Sequence, residues 1–409
     1  MRILVIGSGG REHAIGWKLK QNPEVELFFA PGNGGTIELG VNVDIAVDEI
    51  NKLADFAEAN KIDMTVVGPE LPLTLGVADE FNKRGLDVFG PCAIAAQLEG
   101  SKVYAKQFMQ KYNIPTARYE SISTMVDGLK LIELRKYPLV IKADGLAAGK
   151  GVIICNDKSE AEKALRDILE TEIFGKAGSR VVIEEFLTGR EVSLLCFTDG
   201  ETILPMETAS DYKRALDNDK GDNTGGMGCI SPSPFYTPGL ADDIVQKTLK
   251  GIKSEGFDYR GVIYIGLVLT PDGPKVLEYN ARFGDPETEV LLPRLETDLI
   301  EVIKAVNEKR LSECQLQWSD KKAISVIMAS EGYPGSYQTG YEIELPETES
   351  IVFHAGTTVK NGKTITNGGR VLAVTAKGKN FDEARDIAYK DIKEIKFKGN
   401  TYRTDIGAL

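Results

Sequence analysis

Short apolar runs alternate with longer stretches of helical periodicity over the first hundred residues. The runs Ile3 to Ile6, Val25 to Phe29, Met64 to Val67 and Leu86 to Phe89 are each bounded by turns rich in Gly, Pro or Asn. Strands that alternate with helices of about ten residues form parallel sheets, so the pattern predicts a doubly wound α/β domain over residues 1–101. Ligands of such domains bind at the carboxyl ends of the strands, which makes the turns there candidate ligand contacts.

The pattern over the rest of the chain predicts three further domains of mixed α/β and α+β character. Pro138 to Ala143 and Gly151 to Cys155 read as two strands joined by a glycine-rich loop, within a small domain over residues 116–183. A larger α+β domain is expected over residues 184–315. A polar stretch then leads to a small α+β, barrel-like domain over residues 320–409.

Composition and charge narrow the possible partners. The chain has 409 residues and a net charge of -12, which disfavours broad attraction to nucleic acid or to an anionic membrane. Its five cysteines form no C-x-x-C pair, which is typical of a reducing compartment without a zinc site or a disulfide framework. No apolar run approaches the roughly 20 residues that cross a bilayer. We therefore expect a cytoplasmic protein that acts on small molecules.

One run near residue 280 sets a carboxylate, an amide and a guanidinium at alternate positions. If Val276 to Arg282 is a strand, its period of two places Glu278, Asn280 and Arg282 on one face. Carboxylate and amide oxygens suit Mg²⁺, which takes one or two protein ligands together with nucleotide phosphates. Arginine can stabilise a transferring phosphoryl or acyl phosphate group. The alternative is a half-buried strand end with a solvated charged face.

The first glycine-rich loop, Gly7 to His13, is similar to a dinucleotide-binding turn but departs from it in two ways. Glu12 stands at the third glycine position, and the second strand ends at Ala30 and Pro31, where a dinucleotide binder would carry an acid for the ribose. Glycines that open a helix can still hold one phosphate on backbone N–H groups, with Arg11 adding charge. A tight structural turn is the alternative.

Two further glycine-rich loops carry basic residues. Lys142 to Gly151 lacks the spacing of a P-loop and predicts a flap with a lysine at each side, or else a plain mobile hairpin. Gly221 to Gly228 follows Lys213 and Arg214. This pattern indicates a loop whose backbone approaches an anionic ligand closely, and the alternative is an exposed charged loop. Between these two loops, Val181 to Leu187 predicts an apolar strand. The backbone N–H and C=O groups at its carboxyl end could pair with the edge of an adenine, although this pattern alone is weak evidence for nucleotide binding.

Six motifs together identify a family. In chain order they are Gly9 to Ala14, Val67 to Glu70, Gly100 to Lys102, Ile141 to Val152, Asn223 to Gly228 and Arg282 to Thr288. They closely resemble the motifs of the glycinamide ribonucleotide synthetase family (phosphoribosylamine–glycine ligases) of the ATP-grasp superfamily. The resemblance spans nearly the whole chain, as far as Asn367 to Val371 in the last domain. Relatives often carry His where Tyr212 stands, so an imidazole base is absent at that position.

The resemblance implies a fold, a reaction and a set of ligands. The fold would be an N-terminal doubly wound domain, a two-lobed ATP-grasp core and a small C-terminal domain. ATP would phosphorylate the glycine carboxylate, and the amine of 5-phosphoribosylamine would attack the glycyl phosphate. Mg²⁺ or Mn²⁺ is the implied cofactor, ATP is a co-substrate, and we expect a monomer.

The resemblance also implies roles for individual residues. Arg282, Lys142 and Lys213 would be catalytic, and Glu278 and Asn280 would bind the metal. The ATP-binding residues would be Lys102, Lys142, Gly145, Gly149, Lys150, Gly151, Glu184, Glu185, Phe186, Leu187 and Glu191. The substrate-binding residues would be Gly9, Gly10, Arg11, Glu12, Pro69, Glu70, Asp211, Lys213, Arg214, Asn223, Thr224, Gly225, Gly226, Met227, Arg282, Gly284, Asp285, Pro286 and Glu287.

Three alternatives remain open at this point. Another ATP-grasp ligase or carboxylase of purine synthesis would share the scaffold and differ in the acceptor. A nicotinamide-dependent oxidoreductase would use the N-terminal fold, although the third glycine and the ribose acid are missing. A non-catalytic nucleotide sensor is disfavoured because the metal pair and the loop lysines are all present.

Overall fold

The computed structural model describes residues 1–146, 151–171 and 173–409 and begins with a parallel sheet. The strand order is β3-β2-β1-β4-β5, and every neighbouring pair is parallel, which confirms the predicted doubly wound architecture. The elements of this region are β1 (Arg2–Gly7), α1 (Gly10–Leu19), β2 (Glu26–Pro31), β3 (Val41–Asn42), α2 (Ile50–Ala59), β4 (Met64–Val67), α3 (Glu70–Thr74), α4 (Val77–Lys83), β5 (Val88–Phe89) and α5 (Ala93–Gly100).

A small antiparallel sheet follows, with the order β6-β9-β7-β8. The elements of this region are α6 (Lys102–Lys111), β6 (Tyr119–Ile122), α7 (Met125–Glu133), β7 (Leu139–Ala143), β8 (Val152–Cys155), α8 (Lys158–Leu169) and β9 (Val181–Glu185). The carboxylate of Asp157 caps α8 by accepting the N–H of Glu160 at 2.9 Å, an interaction worth about 1 kcal/mol. The buried side of α8 has the spacing of an apolar helix face, with Ala161, Ala164, Leu165 and Ile168.

The central sheet is antiparallel, with the order β11-β10-β16-β17. The longest strands, β10 and β16, pair from Arg190 opposite Leu269 to Thr198 opposite Gly261. The elements of this region are β10 (Arg190–Thr198), β11 (Ile203–Pro205), β12 (Ser210–Asp211), β13 (Arg214–Leu216), β14 (Lys220–Asn223), β15 (Gly228–Ser231), α9 (Asp242–Glu255), β16 (Gly261–Thr270), β17 (Gly273–Asn280), α10 (Thr288–Leu291) and α11 (Leu299–Asn307).

The last sheet has the order β12-β15-β18-β22-β19, so it takes strands from both sides of the polar stretch near residue 315. The remaining elements of the chain are β18 (Lys322–Ser330), β19 (Ile351–His354), β20 (Thr357–Lys360), β21 (Lys363–Thr366), β22 (Arg370–Gly378), α12 (Phe381–Glu394) and β23 (Asn400–Thr401). Strands β20 and β21 form a separate two-stranded sheet, and β23 pairs with β18. Because β15 pairs with β18, the loops next to β12 and β15 are held against this sheet. Within the described ranges, no helix has the length and apolarity needed to span a membrane.

The first sheet is packed on both faces, which explains why β1 is apolar from Ile3 to Ile6. Ile3 and Val5 pack into a core shared with β10, β16 and α11. Leu4 and Ile6, on the opposite face, pack against α2 and α4. The first and central sheets are therefore fixed against each other, and the carboxyl ends of β1 and β4 open toward the end of β17.

Candidate active site

Strand β17 places Glu278 and Asn280 on one face, as predicted, but the strand is not regular. Its pairing with β16 shifts by one residue between Val276 and Glu278, which is a β-bulge. The bulge lets Val276 and Tyr279 pack into the same core while Glu278 and Asn280 stay half-buried on the other face. Arg282 lies just beyond the strand, and its Nη2 is 3.4 Å from Asn280 Oδ1.

The carboxylate of Glu278 has no hydrogen-bond donor among the residues that the structure describes. Burial alone would raise its pKa, but the positive charges of Lys213, Lys102 and Lys142 outweigh burial and lower the pKa. An ionised carboxylate beside the amide oxygen of Asn280 fits a divalent cation that also binds nucleotide phosphates. The described residues contain no group of three or more His, Cys, Asp or Glu side chains placed to hold a metal.

Lys142 and Lys106 share one buried carboxylate. Lys142 Nζ lies 3.0 Å from Glu184 Oε2, and Lys106 Nζ lies 3.1 Å from Glu184 Oε1. Burial lowers the pKa of Lys106 to about 8, against the opposing charge of Glu184. Burial also lowers the pKa of Lys102, whose ammonium has no hydrogen-bond acceptor in the described chain. Lys106 was missed by sequence analysis, although it stands one helical turn after Lys102 on α6.

Asp144 fixes the start of the glycine-rich loop to the first turn of α6. Its Oδ1 accepts hydrogen bonds of 2.8 Å from the hydroxyl of Ser101 and from the N–H of Val103. Its Oδ2 pairs with Arg180 Nη2 at 2.6 Å. The backbone N–H of Lys102 donates to the Asp144 carbonyl at 2.9 Å, so the loop base and Lys102 are held together.

The two ends of the predicted flap are close-packed. Gly145 donates its N–H to Ala177 at 3.0 Å, and a Cβ at Gly145 would lie 2.7 Å from the Ala177 Cβ. The Gly151 carbonyl accepts the N–H of Ala143 at 2.9 Å. Gly149 and Lys150 lie outside the described residues, so their predicted contacts stay predictions.

The segment after β9 has the free backbone groups expected of an adenine-binding edge. In the described chain, no hydrogen bond involves the backbone of Phe186 or Leu187, and Phe186 is 38% exposed. Glu185 is engaged elsewhere, because its carboxylate accepts the N–H of Arg118 at 2.9 Å. The predicted ribose ligand Glu191 pairs with Lys213 at 2.5 Å, which brings two predicted site residues together.

Arg282 is held between two carboxylates from the N-terminal region. Its Nη2 lies 2.7 Å from Glu99 Oε1, and its Nε lies 3.4 Å from Glu70 Oε2. Glu99 was missed by sequence analysis, although it immediately precedes the Gly100 to Lys102 motif. Its other oxygen accepts the N–H of Ala281 at 2.7 Å, and burial raises its pKa. Glu99 therefore fixes both the backbone and the side chain of the residues that follow β17.

In the loop after β1, the side chain of Glu12 folds back onto the glycines of its own loop and of the loop after β4. Its Oε2 accepts the N–H of Gly9 at 2.5 Å, and a Cβ at Gly68 would lie 2.0 Å from its Oε1. Arg11 pairs with Glu12 at 2.5 Å and donates to the Phe283 carbonyl at 3.1 Å. The N–H of Gly9 is therefore engaged within the loop, and substrate binding by this loop stays a prediction.

Two acids from distant segments, Glu287 and Asp211, lie near a cleft between β10 and β17. Glu287 Oε1 accepts hydrogen bonds from Ser193 at 2.9 Å and from Tyr264 at 3.0 Å. Burial first, and the charge of Glu287 second, raise the pKa of Asp211 well above its usual range. Asp211 Oδ1 is buried without a hydrogen-bond partner in the described chain. The same cleft is lined by Lys213, Glu191 and Glu278.

The loop from Asn223 to Met227 lies directly against the predicted substrate loop that follows β17. A Cβ at Gly226, where φ is +108°, would lie 2.5 Å from Pro286 Cδ and 2.7 Å from Asp211 Oδ1, so only glycine allows this approach. Thr224 closes the loop by donating from its N–H and its hydroxyl to the Lys213 carbonyl.

Residues outside the predicted set also contact this loop. Arg370 Nη1 donates to the Gly225 carbonyl at 2.6 Å and lies 2.9 Å from Asp285 Oδ1. Tyr333 Oη accepts the N–H of Gly225 at 3.0 Å. Arg214, in contrast, is directed into the β13–β14 hairpin, where it donates to the Gly221 carbonyl. The Asn367 to Val371 motif was the one sequence signal that pointed to Arg370.

Three domains of one known protein family match successive parts of the chain. Residues 1–99 match the N domain of phosphoribosylglycinamide synthetase, residues 100–288 match its ATP-grasp (A) domain, and residues 323–409 match its C domain.

Individual relatives are similar over their full length. A phosphoribosylamine–glycine ligase of Caldanaerobacter subterraneus subsp. tengcongensis is 51% identical over 100% of both chains. One of Vibrio vulnificus is 49% identical over 100% of this chain and 98% of its own. A crystal structure of phosphoribosylamine–glycine ligase from Thermotoga maritima superposes with a TM-score of 0.88 at 38% identity, covering 99% of this chain and 100% of that one.

Proposed function

The chain belongs to the phosphoribosylglycinamide synthetase family, and from this premise we propose how its residues join glycine to 5-phosphoribosylamine. The protein is a carbon–nitrogen ligase of purine biosynthesis with an ATP-grasp core. ATP is converted to ADP and phosphate, and glycinamide ribonucleotide is the product. The observation that carries the assignment of roles is the cluster of positive charges around Glu278. Lys102, Lys142 and Arg282 all act on this carboxylate, Lys142 Nζ donates to the neighbouring Leu277 carbonyl at 3.3 Å, and Arg282 Nη2 lies 3.4 Å from Asn280 Oδ1.

ATP lies between the small sheet and β17 in this proposal. The free backbone of Phe186 and Leu187 pairs with the adenine edge, and Glu191 accepts from the ribose hydroxyls. Lys102 and Lys142 contact the phosphates. Lys142 is held by Glu184 in this structure, so it exchanges part of that ion pair for a phosphate oxygen when ATP binds.

Glu278 and Asn280 would hold the divalent cation, Mg²⁺ or Mn²⁺, next to the ATP phosphates. When bound, it offsets negative charge on the phosphates during transfer. The bulge in β17 keeps these two side chains on the open face, and the surrounding lysines keep Glu278 ionised.

Glycine and the amine bind on the N-terminal side of the cleft, next to Arg282. The glycine carboxylate attacks the γ-phosphorus and ADP leaves. The amine then attacks the acyl carbon, the carbon–nitrogen bond forms, and the carbon–oxygen bond to phosphate breaks. Glu70 and Glu99 orient Arg282 so that its guanidinium neutralises the acyl phosphate, with Lys213 opposite. This chemistry requires positioning and charge, and no protein nucleophile.

We further propose that the chain is organised in four domains, which are residues 1–101, 116–183, 184–315 and 320–409. The protein acts as a monomer in the cytoplasm on small molecules, without nucleic acid or membrane partners. Sedimentation of the purified chain tests the monomer directly, since a dimer would double the mass.

ADP release is the experiment that tests the function. Mg-ATP, freshly made 5-phosphoribosylamine and glycine are supplied together, and each is then omitted in turn. Release that needs all three and stops in chelator supports the proposal. Release that needs bicarbonate in place of glycine would instead identify a carboxylase on the same scaffold and would reopen the roles given to Arg282 and Glu287.

A further inference from the structure

We infer that Arg370, the first residue of β22, is a positioning residue for the pocket that receives glycine and the amine. The inference rests on the proposed function and adds a residue of the last sheet to the pocket. Arg370 joins the Asn223–Met227 loop to the Arg282–Glu287 loop, and both loops carry predicted substrate contacts.

One nitrogen of Arg370 makes the decisive contacts. Nη1 donates to the Gly225 carbonyl at 2.6 Å and to the Asp285 carbonyl at 3.3 Å, and it lies 2.9 Å from Asp285 Oδ1. The carbonyl of Gly226 lies 3.5 Å from the same atom. A Cβ at Gly225 would lie 3.1 Å from the guanidinium carbon, so the loop rests on the guanidinium itself. Arg370 therefore touches both loops where they meet.

The charge around this contact explains why a cation is needed. Asp285 approaches the α1 N-terminus, where a Cβ at Gly9 would lie 3.4 Å from its Oδ2. Glu289 is 1% exposed, and neither of its carboxyl oxygens has a hydrogen-bond partner among the described residues. Asp211 approaches Gly226 from the other side. Without Arg370, the Asp285 carboxylate and the Gly225 carbonyl would lose a common donor next to other buried acids, and a buried unpaired acceptor is costly.

The consequence for catalysis is local. Loss of Arg370 lets the two loops separate, and a displacement of about 1 Å at a reacting centre can cost roughly 10²-fold in rate. The groups proposed to bind ATP are carried by α6, β7, the segment after β9 and the start of β10. None of those that the structure describes is bonded to Arg370. The KM for glycine and for 5-phosphoribosylamine should therefore rise while the KM for ATP stays unchanged.

The test compares Arg370→Met and Arg370→Lys with a matched control, Arg294→Met. Arg294 is also a buried arginine, and its guanidinium donates to the Lys321 and Ser319 carbonyls and to the Ser231 hydroxyl, away from both substrate loops. Steady-state constants are measured for all three substrates, with thermal unfolding of each variant. We expect Arg370→Met to raise the glycine and amine KM and lower kcat by at least tenfold, and Arg370→Lys to recover part of the loss.

Tyr333→Phe keeps the inference testable if Arg370→Met fails to fold. This variant removes only the hydroxyl that accepts the N–H of Gly225, so it should raise the same two KM values by a smaller factor. Unchanged kinetics in both Arg370→Lys and Tyr333→Phe would overturn the inference. So would an Arg370→Met variant that matches Arg294→Met in kinetics and differs only in melting temperature. A wild-type enzyme without glycine-dependent ADP release would instead refute the proposed function.

Discussion

Lowering the pH from 7 to 5 should destabilise the protein through its two histidines. His13 is buried on α1, and its Nδ1 accepts a hydrogen bond of 2.8 Å from the backbone N–H of His354. Burial, followed by the charge of His354, lowers the pKa of His13 to about 3. Burial lowers the pKa of His354 to about 4. Both rings are therefore neutral in the folded protein at pH 7, and His13 acts there as an acceptor within the core.

The sign of the effect follows from proton binding. Below pH 6.5 the unfolded chain binds a proton at His13 that the folded chain does not bind, so stability falls as the pH falls from 6.5 toward 3. Above pH 6.5 neither state binds this proton and the contribution is constant. With these pKa values, the free energy of unfolding at pH 5 is about 2 kcal/mol lower per histidine than at pH 7.

The assay is urea unfolding of the wild type and of His13→Asn at pH 7 and pH 5. Asn offers an oxygen near the position of Nδ1, so it keeps an acceptor for the His354 N–H and removes the titration. Carboxyls with raised pKa values, such as Glu99 and Asp211, contribute with the opposite sign, but they are common to both proteins and cancel. The wild type should lose about 2 kcal/mol more than the variant. Equal losses would refute the neutral, buried His13.

Three further substitutions test the proposed site. Glu278→Gln should abolish the Mg²⁺-dependent turnover of ATP by removing the ionised ligand, and an unchanged Mg²⁺ titration would exclude Glu278 as a ligand. Lys106→Met should raise the KM for ATP about tenfold, because Glu184 then pairs with Lys142 alone and holds it more strongly; an unaltered ATP saturation curve would argue against this coupling. Arg282→Ala should lower kcat by roughly 10²- to 10³-fold, and near-normal turnover of a folded variant would remove Arg282 from the mechanism.

The local pattern of apolar and polar residues was sufficient to predict the strands and helices in which that pattern is regular. The β1 and β4 strands and the parallel order around them follow from apolar runs separated by helices and turns. Period-two reasoning also placed Glu278 and Asn280 together, yet it could not foresee the bulge before Glu278. A bulge is set by how both strands pack on their neighbours, because Val276 and Tyr279 both reach the core only when one extra residue is inserted.

Residues that were missed have partners far away in sequence. Glu99 binds the N–H of Ala281 across 182 residues, and Arg370 binds the Gly225 carbonyl across 145. Periodicity reports only which face of an element is buried, and it carries no information about which distant element covers that face. The glycine-rich loop after β1 shows the same limit, since its pattern did not reveal that the carboxylate of Glu12 accepts the N–H of Gly9.

Charge balance can indicate that such a distant residue is needed, whereas the hydrophobic pattern cannot. The acids predicted in the substrate loops include Asp211, Asp285 and Glu287, and a buried carboxylate needs a cation or a donor close by. The basic residues predicted beside them were Arg282, Lys213 and Arg214. Arg282 is already paired with acids of the N-terminal region, Lys213 is paired with Glu191, and Arg214 donates to the Gly221 carbonyl. The Asp285 carboxylate therefore required a further cation, and the fold supplies Arg370 from the last sheet. The last sheet is thus part of the electrostatics of the cleft as well as its support.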